Sequence, residues 1–390
     1  MSKAYRKLGR RLRLGVIGGG PDSFIGSIHR SAATMHEEFE VVAGVFSSNP
    51  ERSIAAGKAM GIERPYADPD ALFAGEAFAT NPIDALAIMT PNNSHYELSC
   101  HALEAGFNVF CEKPLTMTED ESADLVKRVK ASGKRYCVAY GYSGYAMVRQ
   151  AREMVAQGLI GDITMVQSNY VQGHLAELTE SERAGSNWHM KPELAGPSLI
   201  LGDIATHSYH LSSYVMGMEA SSLSADVTAI VEGRNADDYC GILLRYPNKA
   251  RGVFWVTQAA AGGVHGLNFT VYGTKGGLEW HQEQPNELIV RPIDKPAYVL
   301  TKGGIGLSEA GRRVSHVAIG HPEGYREAFA NLYFDFASNI VDDLLGEQPE
   351  PFSLWNPTVE EGAYGMAFVY AAVRSSDNDG KWEPLKNLTQ

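Results

Sequence analysis

The feature that most limits what this chain can fold into is the alternation of short apolar runs with helical segments through residues 13–139. Arg13 to Ile17 is an apolar run, followed by Gly18-Gly-Gly-Pro-Asp-Ser-Phe-Ile-Gly26 and a helical pattern from Ile28 to Met35. Phe39 to Phe46 reads as a second strand, and Pro50 to Met60 as a helix closed by Gly61. Ile83 to Met89 is a third strand running into Thr90-Pro-Asn-Asn-Ser-His95. There Ser94 and Glu97 have the spacing of a capping box, opening a helix that ends near Gly106. Asn108 to Cys111 is the next strand. Thr118 and Glu121 repeat the capping spacing before a helix to Ser132, and Tyr136 to Ala139 closes the series. Parallel strands need crossovers of helical length, so this rhythm specifies a doubly wound parallel sheet, a Rossmann domain over residues 1–139.

Such sheets bind ligands at the carboxyl ends of their strands. The glycine turn stands at the first of these ends, where backbone N–H groups and a helix N-terminus face a pyrophosphate. Gly18 and Gly20 are the first two glycines, Ser23 holds the third position, and the helix-packing glycine is displaced to Gly26. Gly18, Gly20 and the helix start at Ser23, Phe24 and Ile25 are the expected dinucleotide contacts. The second strand ends in Ser47-Ser48-Asn49, without the acid that would repel a 2′-phosphate. Arg52 either reaches such a phosphate or is a solvated first-turn residue. NAD and NADP are both permitted, NAD being the favoured one.

The fourth strand runs into Glu112-Lys113-Pro114, and Pro114 ends it because proline has no N–H for the ladder. A lysine beside a cleft can give a proton, orient a hydroxyl or lose its charge through desolvation; a lone surface lysine is the plainer alternative.

From Tyr140 the rhythm changes, and residues 140–390 read as an α+β domain. Met147 to Gln157 is helical. Strand-like runs follow at Ile163–Val171, Leu223–Val231, Tyr239–Tyr246, Arg251–Thr257, Leu267–Tyr272, Gly277–Trp280 and Glu287–Arg291. Most alternate and are joined by short polar turns, which suggests a large, mostly antiparallel open sheet with one covered face. Helices from Glu323 to Leu345 and from Val359 to Ser375 complete this domain. Asp203 and His207 stand one turn apart on a helix beginning near Gly202. A histidine oriented by a carboxylate suits a general base, but an Asp N-cap beside a core histidine fits the spacing equally well. Metal ligation by Asp203, His207 and His210 is the weaker reading, since no further ligands have diagnostic spacing.

A chain of 390 residues is too long for one ordinary core and suits two domains. Its net charge of −12 argues against a nucleic-acid surface, and no run reaches transmembrane length. Six basic residues in the first thirteen, ahead of a glycine turn and not an apolar segment, read as a flexible basic leader rather than an export signal. Cys100, Cys111, Cys137 and Cys240 lie in apolar patterns as reduced thiols, so the expected location is cytoplasmic.

The combined pattern resembles the glucose–fructose oxidoreductase/inositol dehydrogenase (Gfo/Idh/MocA) family. The matching pieces, in the family's order over most of the chain, are the Gly18 turn, Thr90-Pro91-Asn92 with His95, Glu112-Lys113-Pro114, Trp188 before Gly196, and Gly202-Asp203 with His207. The resemblance implies oxidation of a secondary hydroxyl of a sugar, sugar derivative or inositol, with hydride passed to NAD or NADP. It implies Lys113, Asp203 and His207 as the catalytic group, and Thr90, Pro91, Asn92, His95, Glu112 and Lys113 as further cofactor residues. It also implies a cis Lys113–Pro114 bond and a homo-oligomer, dimer or tetramer, through the C-terminal sheet. Where many members carry an arginine this chain has Tyr140-Gly-Tyr-Ser-Gly-Tyr145, and His189 replaces another after Trp188. Tyr142, Tyr145, Trp188 and His189 are therefore expected, with Asp203 and His207, around a carbohydrate or polyol; both tyrosines also fit a core role. A second reading is a redox-neutral NAD-dependent glycosidase, working by transient ring oxidation, elimination, water addition and hydride return. A third is a non-catalytic dinucleotide-binding sensor. No metal is expected.

Overall fold

Each apolar run of the N-terminal third becomes a buried strand, and the segments between become its crossovers. This computed structural model describes residues 2–389. The chain divides into two units, Met1–Thr116 with Asp120–Gly144 and Tyr325–Gly362, and Met117–Glu119 with Tyr145–Gly324 and Ala363–Gln390. In the first, β1 (Leu12–Gly18), β2 (Phe39–Val45), β3 (Arg64–Pro65), β4 (Ala85–Met89), β5 (Asn108–Cys111) and β6 (Tyr136–Val138) stand in the order β3-β2-β1-β4-β5-β6. All neighbours are parallel. The winding reverses between β1 and β4, the place where such sheets take their ligand. All five residues of β4 are buried, as a strand covered on both faces requires.

The helices of this unit are α1 (Lys3–Leu8), α2 (Phe24–Met35), α3 (Pro50–Ala59), α4 (Pro69–Ala77), α5 (His95–Glu104) and α6 (Glu119–Ser132), the last beginning one residue ahead of the unit boundary. Ser23, Asn49 and Asp68 cap α2, α3 and α4 by accepting from Gly26, Arg52 and Ala71 N–H. Helix α4 and the short β3 escaped the sequence reading, although Asp68-Pro69 is a usual helix start.

Three expectations are corrected. The basic leader is not loose: α1 is capped by Ser2, and its Lys3 and Ala4 N–H groups donate to the buried Glu38 carboxylate at 2.7 and 2.8 Å. Lys3, Lys7 and Arg10 pair with Asp342, Glu347 and Asp84 at 2.7, 2.8 and 2.6 Å. Acids distant in sequence hold these charges, and composition cannot show that. Second, Ser94 makes no capping box. A 3₁₀ turn, Asn92–Ser94, runs straight into α5, so the Ser94 backbone is already helical and its hydroxyl faces Thr90 Oγ1 at 2.6 Å. A capping side chain needs an extended backbone to reach forward. Third, the helix expected to complete the second domain, α12 (Tyr325–Leu345), belongs to the first unit. Its Tyr333 ring stacks on Phe110 of β5 with centroids 4.1 Å apart, and Phe329 and Phe336 join the same core.

In the second unit, β7 (Ile163–Val171), β8 (Ser222–Thr228), β9 (Tyr239–Arg245), β10 (Arg251–Thr257), β11 (Asn268–Gly273), β12 (Gly276–His281), β13 (Glu287–Pro292), β14 (Tyr298–Thr301) and β15 (Glu383–Pro384) make one sheet. Its order is β14-β13-β12-β11-β7-β10-β9-β8-β15. Among the described residues β7 and β10 are its one parallel pair. The fold class is thus the expected one, a Rossmann sheet and a mostly antiparallel sheet; β14 and β15 are additions to the reading. The helices are α7 (Ala146–Ala156), α8 (Glu180–Arg183), α9 (Pro192–Ala195), α10 (Thr206–Met216), α11 (Glu309–Arg313) and α13 (Val359–Asp377), the last entering this unit at Ala363. Tyr209 of α10 stacks on Phe368 of α13 at 4.4 Å, and Phe254 of β10 reaches the same ring. The opposite face of the sheet leaves Met165, Leu243, Val253, Trp255 and Tyr272 exposed.

Candidate active site

The glycine turn after β1 is built by close approach. Gly18 has φ +91° and Gly19 φ +62°, left-handed values that side chains resist. A Cβ on Gly18 would stand 2.5 Å from Met89 O at the end of β4, and one on Gly20 2.6 Å from Phe46 O after β2. A Cβ on Gly26 would meet the Cα of Gly19 at 2.4 Å, so Gly26 is the packing glycine the longer loop displaced. Three loop ends converge on the α2 N-terminus, where the Ser23 side chain is occupied with capping. A backbone cradle of this kind fits a dinucleotide pyrophosphate. Phe24 is exposed and Ile25 half-buried beside it. Ser47 lies half-buried after β2 with its Oγ accepting from Asn49 N–H at 3.1 Å, while Ser48 and Arg52 are exposed.

At the ends of β4 and β5 the loops are tied by one side chain. His95 is 0% exposed, with Nδ1 2.9 Å from Pro114 O and Nε2 3.0 Å from Thr90 O. Carbonyl oxygens only accept, so both ring nitrogens donate and the ring is a cation. Burial opposes that charge; Cys111 beside the ring and the two carbonyls outweigh it and push the pKa up to about 9. Pro91 is exposed and Asn92 buried in the same loop. The Lys113–Pro114 peptide is cis.

Glu112 turns away from the surface. Its Oε1 lies 3.0 Å from Nε2 of His29 on α2, and Nδ1 of that ring lies 2.6 Å from the Tyr333 hydroxyl. A carboxylate only accepts, so His29 donates through Nε2, and the chain fixes the end of β5 against α2 and α12. Glu112 Oε2 also accepts from Lys113 N–H at 3.0 Å. Lys113, half-buried, follows this anchored residue. His29 and Tyr333 give no signal in the sequence, since each looks like one more residue on an amphipathic helix.

In the second unit Asp203 and His207 open a helix, but through a π-turn, Leu201–Ala205, that runs into α10. The N-cap positions are Ile200 and Ala205, so the capping alternative for Asp203 does not hold. Asp203 Oδ2 accepts from Gln258 Nε2 at 2.7 Å. His207 is buried, its ring edge-to-face with Tyr170 of β7 at 6.4 Å. The Tyr170 hydroxyl lies 2.8 Å from His265 Nε2, and Gln172 Nε2 lies 3.0 Å from His265 Nδ1. Burial pulls the His265 pKa down, with Glu283 and Asp203 acting upward. Tyr170, Gln172, Gln258 and His265 are absent from the sequence reading, because only the sheet brings them beside Asp203 and His207.

The remaining expected substrate residues are dispersed. Tyr145, at the start of α7, packs its ring 5.3 Å from buried Trp280 of β12. Tyr142 belongs to the first unit, its ring 5.8 Å from Tyr325. Trp188 and His189 are half-buried and stacked on each other at 3.7 Å, with His189 Nδ1 3.2 Å from Asn187 Oδ1. Among the described residues no group of three or more His, Cys, Asp or Glu has a metal-holding arrangement, and no helix is long and apolar enough to cross a membrane.

Comparison with known proteins adds to this geometry. Residues 12–140 match the family described as oxidoreductase family, NAD-binding Rossmann fold, and residues 148–279 match the GFO/IDH/MocA C-terminal domain. The chain is 34% identical to the uncharacterized oxidoreductase YfiI of Bacillus subtilis (strain 168), over 99% of this chain and 100% of that one. It is similar to the crystal structure of an oxidoreductase from Sinorhizobium meliloti, with TM-score 0.86 and 41% identity over 96% and 99% of the two chains. An inositol dehydrogenase homolog from Azotobacter vinelandii, solved with NAD+, gives TM-score 0.90 and 35% identity over 96% and 97%. A structure of an inositol dehydrogenase homolog from Azotobacter vinelandii with NADH and myo-inositol gives TM-score 0.87 and 34% identity over 96% and 98%.

Proposed function

The chain belongs to the Gfo/Idh/MocA family of NAD-binding oxidoreductases, and on that premise we propose that it oxidises one secondary hydroxyl of a sugar, sugar derivative or inositol. The observation that carries the reading is the opening of α10, where Asp203 in the π-turn leads directly to buried His207 in the first turn of α10, and Asp203 is held by a buried glutamine. The Azotobacter homolog bound to NADH and myo-inositol supports the substrate class. Gly18, Gly20 and the α2 N-terminus hold the pyrophosphate, with the loops at Thr90 and Glu112 completing the cofactor side. When bound, the nicotinamide supplies the hydride acceptor. His207 takes the hydroxyl proton, Asp203 stabilises the charged ring, and the Lys113 ammonium stabilises the developing alkoxide. Proton transfer and charge stabilisation each contribute roughly a hundredfold or more.

NAD is the proposed cofactor, with NADP admitted by the uncharged Ser47-Ser48 end of β2. The protomer assembles with a second copy through the exposed apolar sheet face, whose Leu243 and Val253 are cross-strand neighbours. Four buried free thiols support a cytoplasmic location. The test is to incubate the protein with NAD and a panel of hexoses, glycosides and inositols and follow nicotinamide absorbance. Stoichiometric NADH with one class supports the proposal. Product without net NADH, or no turnover by any member, sinks it.

A further inference from the structure

The parallel pair β7–β10 brings two glutamines to one level. Val171 and Thr257 are register partners, and Gln172 and Gln258 follow them directly, linked by Gln172 N–H to Thr257 O at 2.8 Å. Side chains alternate along a strand, so both glutamines project on the face that carries Tyr170 and Val256. That face is buried, with Gln172 4% and Gln258 1% exposed. Gln258 Nε2 donates to Asp203 Oδ2, and a carboxylate only accepts, so this bond fixes which end of the amide is nitrogen. The other end, Oε1, is buried with no hydrogen-bond partner among the described residues, and so is Gln172 Oε1. Buried carbonyl groups are almost always satisfied, and two orphaned acceptors side by side call for a donor from outside the chain. Hydroxyl groups supply such donors.

We propose that Gln258 serves the reaction twice: its amide N–H positions the Asp203 carboxylate, and its Oε1, with Gln172 Oε1, accepts hydrogen bonds from two hydroxyls of one polyol ring. The substrate class narrows to rings bearing free hydroxyls beside the oxidised carbon; ethers, ketones or deoxy positions there leave the two carbonyls unpaired. The identity of the substrate rests on the dehydrogenase reading, whereas the positioning of Asp203 does not. Gln258 after β10 bonds Asp203, and His265 in the loop before β11 feels its charge, together with those of Glu283 and His174; His207 follows Asp203 in the first turn of α10.

The test uses the full chain with NAD and a set of cyclitols and sugars, each parent ring paired with its single-deoxy analogues. A site built to hydrogen-bond a hydroxyl rejects the analogue lacking it by about 100-fold or more. Wild type is expected to reject two of the deoxy analogues to that extent. Gln258→Met, similar in shape but without donor or acceptor, lowers kcat/KM for the parent by about 100-fold and removes the discrimination at one position. NADH affinity stays unchanged. Gln172→Met removes it at the other position, and serves alone if Gln258→Met does not fold. Gln258→Glu faces Asp203 with a second carboxylate and shifts the acid limb of the kcat/KM profile upward. Full discrimination in both Met variants, or an unmoved acid limb in Gln258→Glu, overturns the proposal. If wild type makes no NADH with any member, the dehydrogenase reading fails. Calorimetric binding of the same rings to the NADH-loaded proteins then decides the role of the glutamines. Equal binding of parent and deoxy rings, or no binding at all, overturns it.

Discussion

Gly26 matters as much to the dinucleotide turn as the glycines that precede it. A side chain there must push against Gly19 backbone atoms 2.4–2.6 Å away, and backbone cannot swing aside as a side-chain tip can. Gly26→Ala is therefore expected to weaken NADH binding by about tenfold or more while the far-ultraviolet circular dichroism stays native, as measured by fluorescence titration. An unchanged dissociation constant would remove the turn from the cofactor site. The catalytic assignment is tested at the same scale. Lys113→Met keeps the apolar stem and loses the charge, and His207→Ala loses the proposed base. Each is expected to lower kcat by about two orders of magnitude, and the double variant to lose far less than the product, since groups acting as a unit are not additive. Near-normal turnover in His207→Ala, with the fold intact, would place the base elsewhere.

Between residue and domain, the loop after β4 and the loop after β5 act as one element because His95 joins them. Its pKa is raised from the usual 6.5 to about 9, so the folded state binds the proton more tightly than the unfolded chain. The stability this contributes is fully present below pH 6.5 and is lost as pH rises through about 9. Each unit is worth ~1.4 kcal/mol, which makes the effect large enough to see in a melting temperature. Wild type is expected to lose thermal stability between pH 6.5 and 9.5, and His95→Gln to start lower and change little over that range. Parallel pH profiles for the two proteins would show that His95 is neutral. This staple was half legible: the Thr90-Pro-Asn-Asn-Ser-His95 motif stood out, but that His95 spends both nitrogens on backbone depended on where Pro114 came to rest. Ser94 went the other way. Its spacing to Glu97 suggested a cap, and the 3₁₀ turn ahead of α5 took the extended backbone that a cap requires.

At the scale of the molecule, the large sheet has one face packed under helices and one face bearing Met165, Leu243, Val253, Trp255 and Tyr272 in the open. Trp255 is 46% and Leu243 51% exposed, too much contiguous apolar surface for a face meant only for water. Leu243→Glu with Trp255→Glu is expected to convert the proposed assembly to a monomer in light scattering coupled to gel filtration, without lowering NADH affinity. A wild-type monomer, or an assembly that survives both charges, would rule out this face as the interface.

The sequence alone determined the element types and their order wherever local periodicity was strong. The runs around β1, β2, β4 and β5, the exact span of β7 and β10, and the mostly antiparallel character of the second sheet follow from patterns of 2 and 3.6 residues. It also marked Lys113, Asp203 and His207 as candidates, because a strand-end Lys-Pro and a carboxylate one turn from a histidine are local signals. Only tertiary structure could decide the rest, since each remaining feature joins residues far apart in the chain. Helix α12 packs on β5 about 200 residues earlier through Phe110 and Tyr333. The basic first helix is ordered because Glu38, Asp342 and Glu347 come to meet it, and Arg10 just beyond it is held by Asp84. Gln258 reaches Asp203 because β10 lies parallel to β7 and ends at the opening of α10. Hydrogen bonds and ion pairs have ranges of a few ångströms in space and none in sequence, so no window of residues contains them.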